Sequence, residues 1–405
     1  MSISRRSFVA GAAALGLPQN LQTAGASSSA SENAARQSLP IFDPWIQLNA
    51  ESLSRNVDEI SRLSDGVPIL AVLKNNAYGL GIEWVGAALE RHRAVTGFAV
   101  VKVDEAMRLR DAGVTKPILF MGMASDAESV ELARRGVSLS LYTDDAKRRI
   151  ETVSRAISER VSAHLYLDTG MGRMGMPYHR AGNWISEILE TEGAAVQGAF
   201  MAFSEESQFD REQLRRFLET TTRFKESGAL PLRHAASSNA VFHLPEARLD
   251  LVRPGIGLYG GYPSRPQEER EIGTLHMVAS LHARVVRVEQ LRVGDSVSYG
   301  RNYVAERPTW IATLPVGHAD GYRREAVGKA RVLIGGNLYP VIGAVSASHT
   351  IVEIGAEKRV NLSDVATLMG PDHPEIHPNN LAQAMGVSVY DLFMHLNPEL
   401  PRIPV

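Results

Sequence analysis

Between residues 68 and 259 the chain alternates short apolar runs with stretches of helical periodicity. The apolar runs are Ile69–Lys74, Gly97–Val101, Ile118–Gly122, Ser138–Tyr142, Ala163–Thr169, Val196–Phe203, Leu232–Ser238 and Leu251–Tyr259, each of strand length. Between them, segments such as Ile82–Arg93, Asp104–Ala112, Asp126–Arg135 and Arg211–Ser227 place apolar residues at three- and four-residue steps, which predicts amphipathic helices. Eight strand-helix units in succession predict an α/β fold, a closed eight-stranded (β/α)8 parallel barrel. An open doubly wound sheet would carry a glycine-rich phosphate loop after its first strand, and Lys74-Asn75-Asn76-Ala77-Tyr78-Gly79 is not one.

After Gly260 the texture changes. Residues from about His276 to Gly355 are rich in Val and Ile with period-two stretches, as in Ala283–Val288. Gly335-Gly336-Asn337, between Val332 and Val341, reads as a hairpin turn. The expected organisation is a barrel over residues 41–270 followed by a smaller C-terminal β domain over 271–405. The extended segment Trp45-Ile46-Gln47-Leu48 lies ahead of the barrel, and residues 41–50 are a candidate to pair with the second domain.

Composition narrows the function. With 405 residues, 44% of them hydrophobic, the chain can bury a large core and is too long for one typical domain. Lys and Arg number 43 against 45 Asp and Glu, a net charge of -2, so there is no electrostatic footprint for nucleic acid or an anionic membrane. A small neutral or zwitterionic partner is expected. The absence of cysteine excludes disulfides, thiolate metal sites, iron–sulfur clusters and a cysteine nucleophile or acid, and no metal site is read from the sequence.

At the start of the chain, Ser2-Ile3-Ser4-Arg5-Arg6-Ser7-Phe8 sets two arginines before a weakly apolar run, Phe8 to Leu17, that Pro18 ends. The segment resembles a twin-arginine export signal, with Ala24-Gly25-Ala26 as the cleavage pattern. The run is about half the length of a spanning helix, which argues against a membrane anchor. The expectation is a signal peptide over 1–26, a polar linker over 27–40 and a periplasmic protein, with a disordered cytosolic tail as the alternative.

In a parallel barrel, reactive groups gather where strands end, so the polar residues closing the apolar runs are the candidates. Lys74 closes the first. At an apolar barrel mouth its amine would be desolvated and its pKa lowered, which suits a nucleophilic amine. Taken alone, a solvated strand-end lysine is the commoner reading.

Its neighbours change that reading. Ala71-Val72-Leu73-Lys74-Asn75-Asn76-Ala77-Tyr78-Gly79 closely resembles the pyridoxal 5'-phosphate lysine motif of the alanine racemase family, and further motifs match in order from about Trp45 to the C-terminus. The resemblance implies that Lys74 holds the cofactor and serves as one of two catalytic bases, and that Tyr78 touches its phosphate. Leu167-Asp168-Thr169-Gly170-Met171-Gly172-Arg173-Met174-Gly175 implies that Arg173 lies beside the cofactor's phenolic oxygen and the substrate carboxylate, which a guanidinium fork suits. His234-Ala235-Ala236-Ser237-Ser238 implies Ser238 on the phosphate. Leu251-Val252-Arg253-Pro254-Gly255-Ile256-Gly257 implies Arg253 at the pyridine nitrogen, with the amides of Gly255 and Ile256 on the phosphate. Tyr390 matches a tyrosine of the cofactor pocket and entry gate. Val297-Ser298-Tyr299-Gly300-Arg301 implies Tyr299 as the second base, acting across the interface of a homodimer.

Arg253 is the most telling of these. A guanidinium stays charged near neutral pH and cannot hand a proton to the ring nitrogen, so the ring is a weaker electron sink. That favours rapid reprotonation at the same carbon, the requirement of a racemase. Related barrel decarboxylases place a carboxylate there and use a cysteine, and this chain has no cysteine.

Several positions depart from the family pattern. Tyr166 stands where many members carry a carbamylated lysine that steadies the arginine. Ala202 replaces a histidine under the ring, and Ser237 a common asparagine. In Gly343-Ala344-Val345-Ser346-Ala347-Ser348-His349, Ala347 and Ser348 take the place of a methionine and an aspartate beside the substrate, and His318 replaces an entry-gate tyrosine. Truncation to Ala347 would change discrimination in an apolar pocket by about 1–3 kcal/mol per methylene. The function implied is pyridoxal-phosphate-dependent interconversion of L- and D-alanine. The alternatives are a broad-specificity racemase of serine, lysine or other larger amino acids, a non-catalytic cofactor carrier, and a decarboxylase or aldolase of related fold.

Overall fold

A computed structural model describes residues 43–405; the signal peptide and linker read from the sequence lie outside the described residues. Strand β1 (Trp45–Leu48) leads into helix α1 (Ala50–Leu63), which buries Leu53, Val57, Ile60 and Leu63 at three- and four-residue spacing. Asn49 caps α1 by accepting from the amide of Ser52 at 2.7 Å. The barrel follows: β2 (Ile69–Val72), α2 (Ile82–Glu90), β3 (Val95–Val100), α3 (Val103–Asp111), β4 (Ile118–Phe120), α4 (Asp126–Arg134), β5 (Val137–Leu141), α5 (Ala146–Ile157), β6 (Val161–Asp168), α6 (Tyr178–Leu189), β7 (Ala194–Phe200), α7 (Ser207–Glu226) and β8 (Leu232–His234). These strands pair in parallel in chain order, with helices crossing between them. β2 is buried throughout, as its unbroken Ile-Leu-Ala-Val run requires.

The eighth run differs from the expectation. Leu251–Tyr259 does not form a full strand. Leu251 bridges to His234 and Val252 to Ile69, which brings the chain round from β8 to β2. The amide of Leu70 donates to Val252 O at 2.9 Å and that of Val72 to Pro254 O at 2.9 Å. Pro254 has no N–H for a ladder, and Ile256–Tyr259 coils into a 3₁₀ turn. The circle therefore closes on a short segment whose remaining residues turn inward.

A nine-stranded sheet follows, built from β9 (Ala279–Arg284), β10 (Arg287–Leu291), β13 (Thr309–Leu314), β14 (Arg331–Ile334), β15 (Asn337–Ile342), β16 (Thr350–Gly355), β17 (Val365–Met369) and β18 (Arg402–Pro404), with β1 as its ninth member. β1 pairs antiparallel with β9 and parallel with β18. A two-stranded ribbon, β11 (Ser296–Val297) and β12 (Tyr303–Val304), stands apart from the sheet. β14 and β15 form a hairpin whose turn residues, Gly335 and Gly336, both take positive φ (56° and 79°), as a tight two-residue hairpin demands. The alternation read over Ala283–Val288 is not one strand. β9 ends at Arg284, is buried at all six positions, and hands over to β10 at Arg287. Burial on both faces removes any need for polar alternation.

Near the C-terminus, α8 (Pro378–Met385) and α9 (Val389–Met394) return to the barrel mouth. Arg402 of β18 donates from Nε and Nη2 to the carbonyl of Gly79 at 3.1 and 2.6 Å, tying the end of the chain to the segment after Lys74. Among the described residues, no helix is long and apolar enough to cross a membrane, and no cluster of acidic and histidine side chains could hold a metal.

Candidate active site

The strands end around a cavity of about 540 Å³ whose walls include Lys74, Tyr78, Arg173, Ser237, Ser238, Arg253, Gly255, Ile256 and Tyr390. Lys74 enters it from a turn of unusual shape. Asn75, Asn76, Ala77 and Tyr78 all have φ between the left-handed values 52° and 56°. For L-residues this costs about 1–2 kcal/mol each, so the surroundings must hold it.

The holder is Glu105 at the start of α3, 1% exposed. Its Oε1 accepts from Asn76 N at 3.0 Å, and its Oε2 from Val101 N at 3.2 Å and Lys102 N at 3.1 Å. Asn76 Oδ1 in turn accepts from Ile82 N and Arg108 Nη2. Glu105→Ala is expected to lose about 3–5 kcal/mol in a urea titration, since it leaves three amides without an acceptor.

Burial, then the Arg173 charge, push the Lys74 amine below the usual lysine range, with Glu205 and Glu105 opposing. Burial holds the Tyr78 and Tyr390 hydroxyls well above the usual tyrosine range, so both remain proton donors. Their rings lie 6.1 Å apart, and Tyr78 packs at 4.9 Å against Tyr259, whose hydroxyl donates to Val72 O. A Cβ at Gly255 would collide with the Tyr78 hydroxyl, so only glycine lets the backbone approach this closely.

Ser238 Oγ accepts from the amides of Gly255 at 2.9 Å and Gly257 at 3.1 Å. The Gly255 amide is thus already engaged by the serine, whose own proton is free to donate onward. Beside it, Ser237 Oγ is buried and unpartnered at the cavity wall.

Arg253 is buried deep in the barrel. Its Nη2 donates to Met201 O at 2.5 Å and Ala235 O at 3.3 Å, and its Nη1 to His234 Nδ1 at 3.0 Å. Desolvation lowers it to about 10, which leaves it cationic at neutral pH. Because a guanidinium only donates, His234 accepts at Nδ1 and carries its proton on Nε2, donating to His164 Nδ1 at 2.9 Å. Desolvation and the Arg253 charge hold both imidazoles neutral, His164 falling to about 4.

This chain has an acid consequence. Unfolded histidines take up protons near pH 6.5 while His164 resists until about 4, so its contribution is full above 6.5 and is lost as pH falls through that window. Denaturation followed from pH 7 to pH 4 is expected to show a loss of about 3 kcal/mol from this group, and His164→Gln a flatter profile.

Tyr166 packs at 4.3 Å on Phe200, which stacks at 5.2 Å on His234. The tyrosine fills its place with an aromatic stack and brings no charge toward Arg173. Arg173 sits after β6 on a loop ordered by Asp168, whose Oδ1 accepts from Gly170 N and Gly172 N at 2.9 and 3.1 Å.

The sequence candidates fall into two groups. Lys74, Tyr78, Arg173, Ser238, Arg253, Gly255, Ile256 and Tyr390 share the barrel cavity. Tyr299 does not. It stands 77% exposed in a 3₁₀ turn between β11 and β12, on a second cavity of about 600 Å³ shared with Asn302, His318, Arg324 and Ala347. His318 Nε2 lies 2.8 Å from Arg324 Nη2. Ser348 is exposed and lines neither cavity.

The sequence reading missed Glu105, Glu205 and His164. Only Glu105 left a signal, an acidic residue one turn from Leu109 on the buried stripe of α3.

Known proteins match this chain along most of its length. The family model for the alanine racemase N-terminal domain matches residues 48–263, and that for the C-terminal domain residues 278–404. An alanine racemase from Carboxydothermus hydrogenoformans is 34% identical over 367 residues, covering 89% of this chain and 99% of the relative. One from Desulforamulus reducens is 32% identical over 366 residues, covering 89% and 98%. Among solved structures, alanine racemase of Clostridium difficile 630 aligns with a TM-score of 0.84 at 26% identity, over 91% of this chain and 96% of that one. Alanine racemase from Bacillus anthracis with bound L-Ala-P aligns with a TM-score of 0.80 at 29% identity, over 91% and 96%. With both domains matched in chain order and relatives covered almost end to end, this chain belongs to the alanine racemase family.

Proposed function

We propose that this protein interconverts L- and D-alanine with pyridoxal 5'-phosphate, using Lys74 as the base for the D face and Tyr299 as the base for the L face. One observation carries the reading: a desolvated lysine amine, two arginines and the hydroxyls of Tyr78, Tyr390, Ser237 and Ser238 line one cavity at the carboxyl end of a parallel barrel.

The donor set fits the cofactor. The unpartnered Ser237 Oγ, the Ser238 hydroxyl, the Ile256 amide and the two tyrosine hydroxyls line the same cavity and would receive the phosphate, with Gly255 letting the Tyr78 hydroxyl lie against the backbone. Arg253, a cation at neutral pH on the cavity wall, would meet the ring nitrogen, and Arg173 would offer its fork to a carboxylate. Pyridoxal phosphate, when bound, supplies an electron-withdrawing ring that acidifies the α C–H of the attached amino acid.

Lys74, its amine shifted toward the neutral form, takes or returns the α proton on one face. Arg253, cationic at neutral pH, would leave the ring nitrogen unprotonated and the ring a weaker electron sink, which favours return of the proton to the same carbon. A second base is needed on the opposite face. Tyr299, exposed and outside its own chain's cavity, supports delivery from the partner subunit of a head-to-tail homodimer.

The broad-specificity alternative is not favoured. The matched relatives are alanine racemases throughout their length. A non-catalytic carrier has no use for Tyr299. The export reading rests on Arg5-Arg6 and the apolar run after them, and supports loading and folding before passage to the periplasm. The direct test is residues 27–405, loaded with pyridoxal phosphate and supplied with single L-amino acids, with chiral analysis of the products. Fastest turnover of alanine is the expected result, and bound cofactor with no racemisation overturns the reading.

A further inference from the structure

Glu205 lies on the loop after β7 and lines the barrel cavity with Lys74 and Arg173. Its backbone is held in the left-handed region, φ 65°, a strained state for a non-glycine residue. The neighbouring contacts explain how the strain persists. The Glu205 amide donates to Asp210 Oδ1 at 3.0 Å, Ser204 Oγ donates to the same oxygen at 3.2 Å, and Ser204 N donates to Gln213 Oε1 at 2.9 Å. Asp210 and Gln213 are buried residues of α7. A rigid helix thus fixes the loop while the Glu205 carboxylate, like the Arg173 guanidinium, makes no hydrogen bond or ion pair among the described residues.

We propose that Glu205 receives the ammonium end of the incoming amino acid while Arg173 receives its carboxylate, so that the cavity mouth selects a zwitterion. The inference rests on the racemase reading above. Arg173 and Arg253 set two guanidinium charges on the cavity wall, and an incoming ammonium group is favoured there only beside a compensating anion. Glu205 is the carboxylate on the cavity wall. Burial, then Asp210 and Glu269, hold the Glu205 carboxyl above the usual carboxylate range, while Lys74 and Arg173 favour its anion. Tyr166 stacks on Phe200 and Glu205 acts on Arg173 only through space, so among the described residues the Arg173 fork is not hydrogen-bonded and is open to a substrate carboxylate.

The test compares alanine with propionate, which has the carboxylate and methyl end but no ammonium. In Glu205→Gln, loaded with pyridoxal phosphate, KM for alanine is expected to rise about tenfold with kcat within about twofold of wild type. Propionate binding, read by the change in cofactor absorbance, stays the same or tightens. The affinity of the cofactor-free protein for pyridoxal phosphate stays at the wild-type value, Glu205→Asp recovers part of the loss, and Glu206→Gln keeps the wild-type KM. An unchanged KM for alanine overturns the proposal. So does an equal weakening of alanine and propionate, which would make Glu205 a support for Arg173. Absence of alanine turnover in the wild type would instead remove the racemase reading on which the proposal stands.

Discussion

Racemisation by Lys74→Ala is expected to fall by about 10⁴-fold, the upper range for losing a positioned acid–base group that is also a nucleophile. The geometry explains the size of the effect. Lys74 is the amine of the barrel cavity, presented by four left-handed residues that Glu105 and Asn76 hold in place. Among the described residues, no other lysine lines that cavity. Lys74→Arg is expected to be as inactive, because a guanidinium keeps the positive charge but does not release its proton at neutral pH. That variant separates acid–base chemistry from charge: activity above a tenth of wild type in Lys74→Arg would reduce Lys74 to an electrostatic role. In Lys74→Ala the visible absorbance of bound cofactor should also be lost or displaced, and added methylamine should recover part of the turnover.

Tyr299→Phe is expected to lose about 10²–10⁴-fold in racemisation while retaining cofactor absorbance, since the tyrosine lines a different cavity from the cofactor-binding residues. The sharper experiment mixes two inactive proteins. If Tyr299 acts in the partner's barrel, a heterodimer of Lys74→Ala and Tyr299→Phe contains one site with both bases and one with neither. Random exchange of subunits should then restore about a quarter of wild-type activity. Exchange without recovery would mean that each chain uses its own tyrosine, and the composite site would have to be abandoned.

Much of this architecture is local in origin and was legible in the chain. Strand-length apolar runs alternating with amphipathic segments specify a parallel barrel because each element must bury a face against the next. Lys74, Arg173 and Arg253 each follow an apolar run or a glycine-rich turn, and so are recognisable as residues at strand ends. Where the reading slipped, a backbone property was decisive. Leu251–Tyr259 is apolar enough for a strand, yet Pro254 interrupts the ladder and the chain coils at Ile256. Ala283–Val288 alternates in sequence, yet Ala279–Arg284 is enclosed on both faces, so pattern and exposure part company there.

The tertiary structure alone decided how the candidate residues divide. Sequence order places His318 and Ala347 on the same footing as Arg173, but a separate β domain carries them to the cavity of Tyr299 while the barrel gathers Arg173 to Lys74. It also decided which polar groups are held and which are free. Glu105 is captured by three amides, Ser238 by two, and His164 by a chain leading to Arg253, whereas Glu205 and Ser237 face the cavity with no hydrogen bond to their side-chain oxygens among the described residues. Periodicity records which residues want to leave water, because that preference belongs to each side chain. Hydrogen-bond partners drawn from distant elements belong to the packed whole, and no local pattern encodes them.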